Sequence, residues 1–280
     1  MIRGLHAISV AARRPDGVIK LRSFPPPGWA QNPLRKVPVV RGVVVMAEML
    51  TIGVRALTYS AQVAAGDEET EQPIPAWSMA LTLLLALALG AGLFVVAPLL
   101  VTTAAVDRLT ENSILSNLAE GVIRLAIFLA YIVFIGLMPS IRRVFAYHAA
   151  EHMTVHAMEA GLSLKSENVR RFPAAHPRCG TAFLLTVMLV SILVFALLGT
   201  PDLPLRILSR ILLMPVIAGI SYEIIRFNAR HSGAAVVRAL AAPSLALQAL
   251  TTRKPDDDQI EVAIAAMNGA IEADRAAQAA

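Results

Sequence analysis

Apolar runs too long for an ordinary soluble core constrain this chain most. Residues 77–101 carry no charge, residues 121–139 carry only Arg124, and residues 181–200 again carry none. A helix needs about 20 apolar residues to cross a bilayer. Inside lipid only helices or closed barrels satisfy their own backbone. These runs do not alternate apolar with polar, which points to helices. A further run, 203–225, is interrupted by Arg206, Arg210, Pro215, Gly219 and Glu223, and is read as a tilted, broken or shielded span. Composition agrees. The 280 residues are 56% hydrophobic and 16% charged, against about a quarter charged in soluble domains. The expected fold class is an α-helical integral membrane protein with four transmembrane helices and a small cytoplasmic domain.

Charge sets the expected orientation. The segment before the first span holds nine Lys and Arg, the connection 102–120 holds one, 140–180 holds six, 201–210 holds two, and the tail holds six. High and low counts alternate, as they do when both termini lie on the cytoplasmic side. A multi-pass protein of the cell membrane is therefore expected, with the bilayer as its first partner. The net charge of +5 is accounted for by these loops. No Arg-rich stretch interleaved with aromatics speaks for nucleic acid. The N-terminus lacks the apolar region and cleavage site of a signal peptide. One cysteine, Cys179, excludes an intramolecular disulfide.

The expected organisation follows. Residues 1–76 form a cytoplasmic β-hairpin and amphipathic helix. The hairpin strands are 6–12 and 17–22, turned at Pro15-Asp16-Gly17, and the helix is 42–65 with Glu48 and Arg55 within it. An acidic linker, 66–73, follows. Residues 77–140 are the first helix pair, with Arg124 snorkelling to the interface. Residues 141–180 are a cytoplasmic segment, 181–227 the second helix pair, and 228–280 a cytoplasmic helical tail. In that tail Ile260, Ile264, Met267 and Ile271 make one apolar stripe, behind an acidic helix start at 256–258.

The chemistry concentrates in 147–159. His148, Glu151 and His152 follow the His-x-x-Glu-His order of inverted zincins. On a helix His152 falls about 40° round from His148, and His156 about 80°. Glu151 and Glu159 share that face, and alanines occupy the far one. Histidines four apart can hold one divalent metal, zinc above all. A neighbouring Glu151 can then serve as general base toward water that the metal activates. A third ligand is sought among Glu223, His156, His231 and the His176–Cys179 pair. Glu223 stands out because a carboxylate in an apolar helix needs a partner. The competing reading is a hydrogen-bonded network that fixes helix packing. Arg170 and Arg171 are read first as a topology signal.

The blocks Tyr147-His148-Ala149-Ala150-Glu151-His152-Met153-Thr154, Glu167-Asn168-Val169-Arg170, His176-Pro177-Arg178-Cys179-Gly180-Thr181 and the stretch 251–263 resemble those of the YqhQ-like bacterial membrane proteins. That family is a domain of unknown function, often labelled a predicted metal-dependent enzyme. The resemblance implies that His148, Glu151, His152, His176 and Cys179 are its signature polar residues. Three departures stand out. The glycine-rich segment that usually precedes the Met1-Ile2-Arg3-Gly4 position is absent, Ala149 stands for Gly, and Met153 for Lys. The combined expectation is a metal-dependent, hydrolase-like membrane protein. Glu151 would be catalytic, with metal ligands among His148, His152, His176, Cys179 and Glu223. The alternative is a non-catalytic scaffold or regulator of membrane-protein insertion or turnover, with membrane-protein partners. A transporter is least favoured, since no internal repeat is present.

Overall fold

A computed structural model describes residues 1–66, 76–177, 179–231 and 233–279. Residues 67–73 of the expected acidic linker, and Arg178, lie outside the described residues. Three strands open the chain, β1 (Ile2–Arg3), β2 (Ile8–Arg13) and β3 (Ile19–Phe24), in an antiparallel sheet of order β1-β2-β3. Among the described residues ten α-helices follow: α1 (Val40–Ala65), α2 (Ala76–Ala91), α3 (Ala97–Ala105), α4 (Ser113–Ile135), α5 (Pro139–Glu159), α6 (Ser166–Val169), α7 (Gly180–Ala196), α8 (Leu203–Arg230), α9 (Ala235–Thr251) and α10 (Asp257–Ala279).

The expected hairpin is present, with Gly17 at φ +89 closing its turn. It gains β1 as a third strand, paired Ile2 to Ser9 and Arg3 to Ile8. A two-residue strand leaves no periodic signal, so the sequence does not reveal it. The sheet does not stand alone. Ile8 and Val10 bury against Ile52 and Ala56 of α1, and Ile2 buries against Ala266, Met267 and Ala270 of α10. The expected apolar stripe of α10 thus turns into the sheet and α5. Its start is a reciprocal cap, in which Gln259 N donates to Asp256 and Asp256 N donates to the Gln259 side chain, the capping-box arrangement with Asp and Gln.

Among the described residues three helices are long and apolar enough to cross a membrane: 80–105, 113–135 and 203–230. The first is α2 and α3 joined by a π-helical turn at Gly92–Val96. Pro98 explains the disturbance, since it has no N–H to give to the Phe94 carbonyl four residues back. That carbonyl accepts from Arg124 Nε at 2.9 Å instead. The third expected span, α7, has 17 residues, about 26 Å of helix, and is shorter than the others. The fourth, α8, is continuous through Pro215 and is not broken. The second begins earlier than expected, because Asn112 accepts from Ile114 N and Leu115 N and caps α4 there.

The interrupting charges of these helices meet one another. Glu120 accepts from Arg124, Arg206 and Arg210, and Asp107 accepts from Arg206. Arg124 is 1% exposed, so it does not snorkel. Its guanidinium and that of Arg210 lie 5.0 and 4.6 Å from the centroid of the Phe195 ring, a cation–π contact on each side of the pairing.

Residues 228–280 are not one tail. α9 lies in the helical bundle, with Leu247 buried among Phe128, Ile132 and Leu185. α1 is held at both ends of its burial, by the sheet and by α8. Glu48 within it is fully buried, accepts from Arg3 at 2.6 Å and forms an ion pair with Arg35 at 3.1 Å.

Candidate metal centre

α5 builds the centre. Pro139 opens it, where a missing N–H costs nothing, and Gly161 at φ +68 turns the chain after its end. Ala146, Ala149, Ala150 and Ala157 are buried on one face, and Ala150 and Ala157 meet Ile260 and Ala263 of α10. Small side chains bring the two helices close and turn the other face to the loop 172–179. The imidazoles of His148, His152 and His156 lie along that face. The His148 and His152 rings are 4.3 Å apart, and His156 stands 4.5 Å from His176 of the loop.

Two donor groups result. The first is His148, His152 and Cys179, whose ligand atoms lie within 4.8 Å of one another. His148 Nε2 is 3.2 Å from Cys179 Sγ. His148 Nδ1 faces the Thr251 carbonyl at 3.0 Å, and His152 Nδ1 faces the Ala174 carbonyl at 2.6 Å. A carbonyl only accepts, so each Nδ1 carries a proton and each Nε2 is left for the site, donating to a Cys179 thiolate when protonated and able to bind a metal once deprotonated. This is the outer-shell pattern that fixes metal-binding histidines. Donors around tetrahedral zinc lie roughly 3.3–3.8 Å apart, so the group needs only small adjustments to close on an ion. The second group is His156, Glu159 and His176, again within 4.8 Å. His156 Nε2 donates to the Ala175 carbonyl at 2.9 Å, and His176 Nε2 is 3.4 Å from Glu159.

Buried Gln248 of α9 clamps the His176 peptide, accepting from its N–H at 2.8 Å and donating to its carbonyl at 2.9 Å. Sequence reasoning passed over Gln248 and Thr251. The available signal was a lone amide near the end of an otherwise apolar helix.

The expected ligands separate. His148, His152 and Cys179 come together, while His176 stands with His156 and Glu159. Glu223 is in neither group. It accepts from Arg41 Nε at 2.5 Å and from Val39 N at 3.2 Å, so the expectation that it completes the histidine site is corrected. A carboxylate near the end of an apolar helix is most stable beside a cation, and Arg41 provides one. His231 lies at the end of α8 with Nδ1 donating to the Phe227 carbonyl. Glu151 lines a cleft of about 410 Å³ together with His148, His152, Glu159, His176 and Cys179. Its carboxylate is 39% exposed and 3.5 Å from the Met1 amine.

Electrostatics favour a thiolate. Burial alone would raise the Cys179 thiol, but hydrogen bonds from His148, His152 and Thr181 bring it down to about 5. Burial alone would lower His148, yet its contacts with Cys179 and the Thr251 carbonyl carry it above the ordinary imidazole range. His176 is lowered, by burial first and then by neighbouring His156, with Glu159 opposing. Cys179 also caps α7, accepting from Thr181 N, where the helix end favours negative charge.

Comparison with known proteins then places the chain. The family model described as "Protein of unknown function (DUF1385)" matches residues 37–273. The uncharacterized protein YqhQ of Bacillus subtilis (strain 168) is 33% identical over 282 residues, covering 96% of this chain and 88% of that protein. No solved structure matches. With its blocks around His148 and Cys179 embedded in a match of this extent, the chain belongs to the YqhQ-like family, DUF1385.

Proposed function

We propose that this protein is a metal-dependent, hydrolase-like enzyme of the cell membrane, with zinc held by His148, His152 and Cys179. One observation carries the reading. Both Nδ1 atoms are committed to backbone carbonyls, which leaves Nε2 of each ring for a ligand, and the ligand atoms of His148, His152 and Cys179 lie within 4.8 Å of one another. Two nitrogens and a thiolate suit zinc, and an ion with three protein ligands keeps a position open for chemistry. A zinc ion there would supply Lewis acidity toward water or a carbonyl. The chain's own residues do the rest. Glu151, on the wall of the cleft, accepts the proton of an attacking water. The Thr251 and Ala174 carbonyls hold the imidazoles in register. The alternating Lys and Arg counts support four passes, with both termini and the cleft on the cytoplasmic side.

Metal analysis of the purified chain tests this. Wild type should carry stoichiometric metal, and His148→Ala, His152→Ala and Cys179→Ser should each lose it. Glu151→Gln should keep metal and abolish activity. Wild type without stoichiometric metal sinks the reading.

A second reading rests on a different observation. His152 and His156 donate to the carbonyls of Ala174 and Ala175, and so pin the loop before α7 to α5. In that reading the cluster is a structural clamp in a non-catalytic scaffold or regulator of other membrane proteins. Metal-free wild type that melts at a lower temperature once His152 is replaced would favour it.

A further inference from the structure

A second pocket shares no residue with the histidine cleft. It has a volume of about 530 Å³ and lies where the start of α1 crosses the end of α8. Arg35, Lys36, Arg41 and Arg226 line it, with Asn32, Pro33 and Tyr222, and among the described residues no carboxylate does. The neighbouring carboxylates are already engaged, Glu223 by Arg41 and Glu48 by Arg3 and Arg35. Among the described residues the ion pairs of these two carboxylates run to Arg3, Arg35 and Arg41, while Lys36 and Arg226 also line the pocket. A topology signal requires cations only somewhere in a loop. It does not require residues 35, 36, 41 and 226 to converge on one cavity.

The backbone beside the pocket is strained in order to build it. Val39 sits at φ 67, ψ −52, and is the one non-glycine residue with positive φ among the described residues. Val40 N donates to the Pro38 carbonyl at 2.8 Å, so Val39 centres a γ-turn, a conformation unfavourable for a β-branched residue. Such strain persists only where the surroundings impose it, and it gathers at functional sites. Here Glu223 accepts the Val39 N–H, and Gly219 lies so close that a Cβ there would stand 2.5 Å from the Val39 carbonyl oxygen. The turn carries Arg41 onto Glu223 and sets it on the pocket wall.

The rim distinguishes a lipid from a soluble ligand. Trp29, Leu34 and Val37 are 48%, 50% and 46% exposed, on the same short segment that supplies Arg35 and Lys36. Exposed Trp and aliphatic side chains interleaved with cations mark a membrane interface. α8, which supplies Tyr222 and Arg226, is long and apolar enough to span and ends at Arg230. We propose that this pocket binds the phosphate of an anionic phospholipid. Lys36 and Arg226 supply charge that the two carboxylates do not cancel, and Trp29, Leu34 and Val37 meet the acyl region.

Native mass spectrometry of the full chain in neutral detergent tests it, with phosphatidylglycerol, phosphatidylcholine and inorganic phosphate as separate titrants. Phosphatidylglycerol should bind tighter than phosphatidylcholine. Lys36→Gln with Arg226→Gln should weaken it about thirtyfold, as expected for two interfacial cations. Lys36→Arg with Arg226→Lys should keep wild-type binding, which separates lost charge from lost folding. Equal binding of the two lipids would overturn the proposal. So would an unaffected Gln double variant, or inorganic phosphate displacing phosphatidylglycerol at matching concentration.

Discussion

His148 Nε2 stands 3.2 Å from Cys179 Sγ, and the same imidazole is held from behind by the Thr251 carbonyl. Partners 31 and 103 residues away in sequence are thereby aligned on one ring. The pairing makes the thiol a thiolate before any ligand arrives.

The chain has a single cysteine, so the ultraviolet absorbance of thiolate in metal-stripped protein reports Cys179 alone. With its proton lost at about 5, the signal should appear between pH 4 and 6 and stay flat to pH 8, against roughly 8.5 for a free thiol. His148→Ala removes the principal stabilising contact and should move the midpoint upward. A wild-type midpoint in the ordinary thiol range contradicts the assigned pairing.

Glu120 is the shared acceptor of three buried arginines. Removing one partner of a buried ion pair destabilises by about 3–5 kcal/mol, because the other charge is left unpaired. Glu120→Ala should sharply lower the melting temperature in detergent. Adding Arg210→Met should recover part of the loss, since one stranded charge is removed with it. No recovery would mean that the three arginines do not depend on Glu120.

Two glycines give opposite expectations. At Gly219 a Cβ would meet the Val39 backbone, which cannot swing aside as a side-chain tip can. Gly219→Ala should destabilise by about 1–3 kcal/mol, as overpacking does. Gly53, within α1, has open space around it, and Gly53→Ala should be neutral or stabilising by up to about 1 kcal/mol. Parallel thermal melts decide between them, and equal effects would contradict the α1–α8 crossing described above.

Asp274 of α10 accepts from the N–H groups of Leu5, His6 and Ala7, tying the loop between β1 and β2 to the C-terminal helix. Burial alone would raise this carboxyl, but the three amides hold it below the ordinary range. A lowered folded value stabilises above the unfolded pKa of about 3.9 and is lost as pH falls through the folded one. Asp274→Ala should therefore cost about 1–2 kcal/mol near neutral pH, and the gap to wild type should close in strong acid. A gap independent of pH would rule out the charged clamp.

Much of the candidate site was legible because it is local. His148 and His152 share a face wherever 147–159 is helical, and alanines opposite them announce a close neighbour. The apolar runs announce helices suited to a bilayer for the same reason, since length and composition are properties of a segment. Among the candidate third ligands Glu223 stood out and Cys179 was one of several others. Nothing in their spacing separates the cysteine that stands beside His148 from the carboxylate that answers Arg41.

What the sequence alone determined is therefore the presence of long apolar helices, the apolar stripe of α10, the turn at Asp16-Gly17 and the row of histidines on α5. Each follows from periodicity and backbone preference within a few residues. Tertiary structure alone decided which donors meet, why Arg124, Arg206 and Arg210 are tolerated in apolar helices, and that α9 enters the bundle to bring Gln248 and Thr251 behind the loop. The physical reason is that a buried charge or lone pair is satisfied by whichever partner packing delivers. Arg41 and Glu223 are 182 residues apart, and no local pattern encodes that encounter.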